Sequence, residues 1–114
     1  VNGRLIFNNI EVIPDENRFI FHFKKDGEAM VKSVTAEGPI EAGLMLMREI
    51  GMPVELVKYR QLVVPETDKM WAGRGLSRIL LRAGGLEIEG RGVSSDTLKA
   101  NMRALFGGVN LLYK

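Results

Sequence analysis

The stretch from Ser33 to Ile50, SVTAEGPIEAGLMLMREI, constrains this chain more than any other, because it turns a strand-like run into an amphipathic helix within two residues. Gly38 and Pro39 make the switch. Proline suits the first helical position, where its missing N–H costs nothing. Ile40, Leu44, Met47 and Ile50 then recur at helical spacing, which predicts a helix with those four on its buried face and Gly51 at its end. A helix start carries N–H groups with no internal partner and the positive end of the peptide dipole, so a carboxylate or phosphate is stabilised there. The junction reads either as the seat of a small anion or as a plain strand-to-helix turn.

Upstream, residues 5–12 read as a strand, with Leu5, Phe7 and Asn9 on one face and Ile6, Ile10 and Val12 placed less regularly. Pro14, Asp15, Glu16 and Asn17 supply a turn. Residues 18–24 are the clearest strand, since Phe19, Phe21 and Phe23 alternate with Ile20 and His22. Asp26-Gly27 signals a hairpin, and 29–35 returns into the Gly38-Pro39 junction. His22 is expected to face solvent.

Downstream, 54–64 gives a long strand with Leu56, Tyr59, Leu62 and Val64 among its apolar positions, stopped by Pro65. Residues 66–75 are irregular. Strands follow at 76–82 and 86–89, joined at Ala83-Gly84-Gly85. Gly90-Arg91-Gly92 reads as a turn leading to Ser94 or Ser95 as helix N-cap, with Asp96 in the first turn. Neither Gly90-Arg91-Gly92 nor Gly73-Arg74-Gly75 has the remaining spacing of a phosphate loop. Leu98, Met102, Leu105 and Phe106 form the apolar stripe of the last helix. Gly107 and Gly108, each costing about 1 kcal/mol relative to alanine inside a helix, mark where it would break.

A shift of 54 positions lays the second half on the first, with Gly38 on Gly92 and Leu44 on Leu98. Each half is strands followed by a helix, so an internal duplication is expected. The fold class is α+β: two repeated strand-strand-strand-helix units, about 4–51 and 54–112, forming one compact domain over 1–114. One helix on a small sheet closes no core, so the units pack on each other or on another chain.

The totals narrow the function. With 46% hydrophobic and 26% charged residues, the composition is that of an ordinary globular domain. Sixteen basic against fourteen acidic side chains leave a formal charge of +2, which does not imply nucleic acid. Without cysteine there is no disulfide framework or thiolate metal site. One histidine cannot form a cluster, and no cofactor is expected. The methionines read as core filler and interface packing, and Glu87 and Glu89, at strand spacing, mark an exposed face. No apolar run approaches the roughly 18 residues of a membrane span, so a cytoplasmic protein is expected. A start at Val1 rather than Met is expected of a processed, trimmed or excised piece.

Three landmarks in order resemble a known family, the C-terminal regulatory (dimerisation) domain of 2-isopropylmalate synthase and citramalate synthase. Its G-D-G-P-V-D-A pattern at the first helix start is matched by Ala36-Glu37-Gly38-Pro39-Ile40-Glu41-Ala42. Its Leu-x-x-Tyr strand and following Thr-Asp pair are matched by Leu56, Tyr59, Thr67 and Asp68. Its G-x-G-x-S-x-D-I opening of the final helix, which ends near an Asn, is matched by Gly90, Gly92, Ser94 or Ser95, Asp96, Thr97 and Asn110. The resemblance covers essentially the whole chain.

It implies a non-catalytic domain that forms a homodimer and binds an end-product amino acid, leucine or isoleucine, near the dimer interface. Such a domain controls an acyl-CoA-dependent synthase whose metal-dependent barrel lies in a separate domain or subunit. Carried over by resemblance, the effector-binding positions are Ala36, Gly38, Ile40, Glu41, Leu56, Tyr59, Val63, Asp68, Val93 and Ser95. Helix-start N–H groups would take the carboxylate, Glu41 or Asp68 the ammonium, and Ile40, Leu56, Tyr59 and Val63 the branched side chain. One methylene is worth only about 1–3 kcal/mol to such a pocket, so the sequence does not choose between effectors. Lys69 and Trp71 stand where the family has small residues. If they fill the pocket, the same fold is an assembly or docking module without a ligand.

Overall fold

A computed structural model describes residues 4–63 and 74–113. The first unit is β1 (Leu5–Ile13), a 3-10 turn (Pro14–Glu16), β2 (Arg18–Lys25), β3 (Glu28–Thr35) and α1 (Pro39–Glu49). The second is β4 (Glu55–Val63), β5 (Gly75–Ala83), β6 (Leu86–Ser94) and α2 (Thr97–Leu112). Each unit is a three-stranded antiparallel sheet, in order β1-β2-β3 or β4-β5-β6, followed by its helix. The α+β duplication read from the sequence is therefore present.

Details of local geometry repeat as well. The second hairpin of each unit turns through two residues with positive φ, Asp26 (52°) and Gly27 (84°) in one and Gly84 (56°) and Gly85 (82°) in the other. That is the two-residue turn whose twist matches the flanking strands. The first strand of each unit carries a bulge, between Phe7 and Asn9 and between Leu56 and Lys58. A bulge reverses which face the following residues occupy, and this explains why the apolar positions of β1 look irregular: Leu5 and Ile10 are both buried although their spacing is odd.

The offset of 54 is corrected by these landmarks. Asp26 corresponds to Gly84 and Pro39 to Thr97, an offset of 58, whereas the bulges lie only 49 apart at Asn8 and Val57. The units differ in the length of the connection after their first strand, so no single shift aligns them.

One continuous core joins the units. Phe19, Phe21 and Phe23 are buried on one face of β2, with His22 on the other, bonded to Glu11 Oε2 at 2.7 Å. Phe106 of α2 reaches across, its ring 5.4 Å from Phe7 and 6.0 Å from Phe23. The buried face of α1 is Ala42, Gly43, Leu46, Met47 and Ile50; Ile40 and Leu44, expected at its centre, are only partly buried. Gly43 sets this rotation, because a Cβ there would collide with Leu105 of α2. The two helices thus meet at the smallest residue available. Met47, Met52 and Met102 fill core space as expected.

The glycines of the second unit are the largest correction. Gly90-Arg91-Gly92 is not a turn but part of β6, which runs on to Ser94. Gly107 and Gly108 do not break α2, which continues to Leu112. A Cβ on Gly90 would strike the Ala104 carbonyl and the Gly108 backbone; one on Gly92 would strike the Ala100 carbonyl and Ala104 N–H. One on Gly108 would press on Leu81 at 2.8 Å. These residues let helix and strand backbones touch, and the packing gained offsets the helix propensity lost.

Asn110 fastens α2 to the first sheet. The Leu5 N–H donates to Asn110 Oδ1 (2.8 Å), and Asn110 Nδ2 donates to the Leu5 carbonyl (2.7 Å). Among the described residues no helix is long and apolar enough to cross a membrane.

Candidate functional site

The helix starts differ between the units. At α1, Gly38 is the N-cap in extended conformation (φ −154°), Pro39 follows, and no side chain caps the first turn. Among the described residues nothing lies within 4 Å of where a Gly38 Cβ would stand. Glu41 is exposed in the first turn, and Ala36 is buried with its N–H donating to the Asn17 carbonyl (3.0 Å).

At α2 the N-cap is Asp96 rather than Ser94 or Ser95. Its Oδ1 accepts from the N–H groups of Leu98 (2.9 Å) and Lys99 (3.3 Å), while Ser94 Oγ accepts from the Asp96 N–H (3.1 Å). The carboxylate occupies the position an external anion would take. Of these two α-helices α1 is therefore the one without a side-chain cap, and Ala36, Gly38, Ile40 and Glu41 lie around its start.

The other carried-over positions lie in the second unit. Every residue of β4 is exposed. The register puts Leu56 opposite Leu81, Tyr59 opposite Ile79 and Val63 opposite Gly75, on the face that α2 covers. Val93 pairs with Leu76 on the opposite face of the sheet, and Ser95 is exposed in the turn before α2. Asp68, with Thr67, Lys69 and Trp71, lies outside the described residues. Among the described residues no hydrogen bond or ion pair joins the α1 start to β4 or to Ser95.

Tyr59 belongs to a polar cluster that sequence reasoning did not assemble. Its hydroxyl lies 3.1 Å from Asn101 Oδ1 and 3.1 Å from Gln61 Oε1, and Ser77 donates to the same Asn101 oxygen at 2.5 Å. Ser77 and Asn101 are buried, so their bonds satisfy groups that would otherwise be costly to enclose. The tyrosine ring is partly exposed while its hydroxyl is turned inward.

The outer face of the second sheet carries charge. Arg78 makes two contacts to Glu89, from Nε to Oε1 (2.6 Å) and from Nη2 to Oε2 (3.3 Å), and Arg91 approaches the same Oε2 at 3.1 Å. Arg82 pairs with Glu87 at 2.7 Å and with Glu55 at 3.7 Å. The hydrogen bond from Arg78 holds the Glu89 carboxyl below its ordinary pKa against partial desolvation, with Arg91 adding to the effect. Glu87 and Glu89 thus mark this outer face, as their spacing predicts. A cavity of about 120 Å³ opens there, lined by Lys58, Arg60, Arg78, Leu80 and Glu89. Its only sequence signal is the alternation of cations along β4 and β5.

The topology, the helix starts and the paired units can be set beside known proteins. The family model for the "LeuA allosteric (dimerisation) domain" matches residues 6–113. The 2-isopropylmalate synthase of Aquifex aeolicus (strain VF5) is 29% identical over 86 residues, covering 74% of this chain and 16% of that protein. The chain therefore spans about one sixth of the curated relative it matches. With the family model covering nearly its whole length, the chain belongs to the LeuA allosteric (dimerisation) domain family.

Proposed function

We propose that this chain is a regulatory domain, not itself catalytic, that forms a homodimer and binds leucine or isoleucine to control an acyl-CoA-dependent synthase of branched-chain amino acid biosynthesis. The observation that carries the reading is the start of α1, which no side chain caps, beside Ala36 and the exposed carboxylate of Glu41. N–H groups and dipole attract the effector's carboxylate, and Glu41 is placed to meet its ammonium. The branched side chain lies toward Ile40, with Leu56, Tyr59 and Val63 as candidate walls. Among the described residues no hydrogen bond or ion pair joins these walls or Ser95 to the α1 start, which suits a site completed across a dimer.

Control of the synthase requires only that the effector favour one arrangement of the domain, a coupling typically of about 1–3 kcal/mol. The synthase partner is a domain or subunit beyond these 114 residues, and a cytoplasmic setting fits such an enzyme. Calorimetric titration with leucine, isoleucine, valine and 2-oxoacids tests the reading: saturable heat with leucine or isoleucine is expected. No heat with any of them defeats the ligand part.

A second reading is an assembly or docking module of the same fold without a ligand. It is favoured by two placements: the Tyr59 hydroxyl is already bonded to the interior, and Val93 faces away from Leu56 and Tyr59. Sedimentation would then show a dimer whose melting temperature ignores added amino acids.

A further inference from the structure

The register of the second sheet sets three arginines in a row across its outer face. Arg60 on β4 stands directly opposite Arg78 on β5, which stands directly opposite Arg91 on β6. Like charges opposite one another on adjacent strands destabilise a sheet. Lys58 lies two positions before Arg60 on the same face and adds a fourth cation.

Glu89 answers only part of this charge. It bonds Arg78 and Arg91, on the β6 side of the row. Among the described residues no carboxylate pairs with Lys58 or Arg60. The other end of the same face is balanced differently, since Arg82 alone has Glu87 and Glu55. The unanswered cations are also the ones that border the cavity of about 120 Å³, whose apolar element is Leu80.

From this juxtaposition we infer a binding site for a small dianion, a phosphate group or a dicarboxylate, between Lys58, Arg60 and Arg78 on the outer face of the second sheet. Among the described residues, four cations around one carboxylate leave a local charge of +3, which a dianion reduces to +1 and a zwitterion does not reduce at all. The cavity is several times the roughly 10–15 Å³ a site needs to hold one water, enough for a small anion. Arginine forks match carboxylate and phosphate oxygens in geometry as well as charge. The ligand would bridge Arg60 and Arg78 on the side that Glu89 leaves open. None of its residues belongs to the start of α1, and it stands or falls independently of the amino-acid effector.

The test is titration of the full chain with inorganic phosphate and, separately, with malonate, following amide shifts of β4–β6 and the melting temperature. Saturable binding is expected, and the tighter of the two anions tells phosphate from dicarboxylate. Lys58→Gln and Arg60→Gln should each weaken it about tenfold, the scale of one charge-assisted hydrogen bond. Arg82→Gln, on the same face beside its own carboxylates, should leave the affinity unchanged. Without ligand, Arg60→Gln should melt at or above the wild-type temperature, because it relieves the opposition to Arg78. Non-saturable shifts, equal weakening by Arg82→Gln, or a lower melting temperature for ligand-free Arg60→Gln would each overturn the site. An oligoglutamate peptide that binds more tightly than either anion would also overturn it, in favour of an acidic protein surface.

Discussion

The two units share a topology but hold their helices differently. At an offset of 58, the buried faces of α1 and α2 superpose residue by residue: Ala42 on Ala100, Gly43 on Asn101, Leu46 on Ala104, Met47 on Leu105 and Ile50 on Gly108. The strands beneath do not match. Where β6 has Gly90 and Gly92, β3 has Lys32 and Val34. In the second unit helix and strand backbones touch, whereas in the first a sheet of phenylalanines stands against Phe106 of the other unit's helix. The close contact fixes α2 on its own sheet, and α2 in turn anchors the first unit. A duplicated fold has here been divided into a half whose helix and strand backbones touch and a half whose helix start has no side-chain cap.

Glycine 90 is where that difference is easiest to break. Gly90→Ala puts a methyl group into the α2 backbone and should destabilise the chain by about 3 kcal/mol, the upper range for overpacking. Its counterpart Lys32→Ala, on an exposed position, should stay within about 0.5 kcal/mol. Urea denaturation of both variants measures the contrast, and equal costs would show that the glycines do not distinguish the units. Removing the fastening between units comes next: Asn110→Ala leaves the Leu5 N–H and carbonyl without their partner and should cost about 1–2 kcal/mol by the same assay.

The helix starts allow a finer comparison. Asp96→Ala opens the end of α2 and should cost about 1 kcal/mol, while Gly38→Asp closes the end of α1 and should gain a few tenths of a kcal/mol. If the effector's carboxylate uses that end, Gly38→Asp also abolishes the calorimetric response to leucine while raising stability. Retained binding would place the ligand elsewhere.

The smallest effect expected is on pH dependence, because the Arg78–Glu89 pair is about one-third exposed. Its carboxyl is held below the ordinary glutamate value of about 4.3, so its contribution is complete above that pH. The contribution is lost as pH falls through the lower folded value. Melting temperatures of wild type and Glu89→Gln should therefore differ by a constant amount near neutrality and converge in acid. A gap that widens in acid would reverse the assignment.

What could be read beforehand was what is local. The alternation of Phe19, Phe21 and Phe23, the Asp26-Gly27 hairpin and the Gly38-Pro39 helix start each declare themselves within a few residues. Gly90, Gly92, Gly107 and Gly108 misled because a glycine in a sequence signals freedom, whereas the missing Cβ of three of these serves contacts to residues well beyond their sequence neighbours, such as Ala104 for Gly90 and Leu81 for Gly108. The face of α1 was misplaced for a related reason, since Gly43 counts as neither apolar nor polar in a periodicity yet sits where the helices cross. Arg60, Arg78 and Arg91 are scattered in the chain and become a row only once strand register is known.

Asn110 has a consequence beyond fastening. By offering one donor and one acceptor to Leu5 it imitates the neighbouring residue of another strand, so the mouth of β1 is already occupied. Arg103 does something similar on the far sheet, donating to the Val93 carbonyl at 2.9 Å. A sheet whose outer groups are taken cannot be extended there by an arriving chain. The last helix thereby occupies one pairing position on each of two sheet margins, at Leu5 and at Val93.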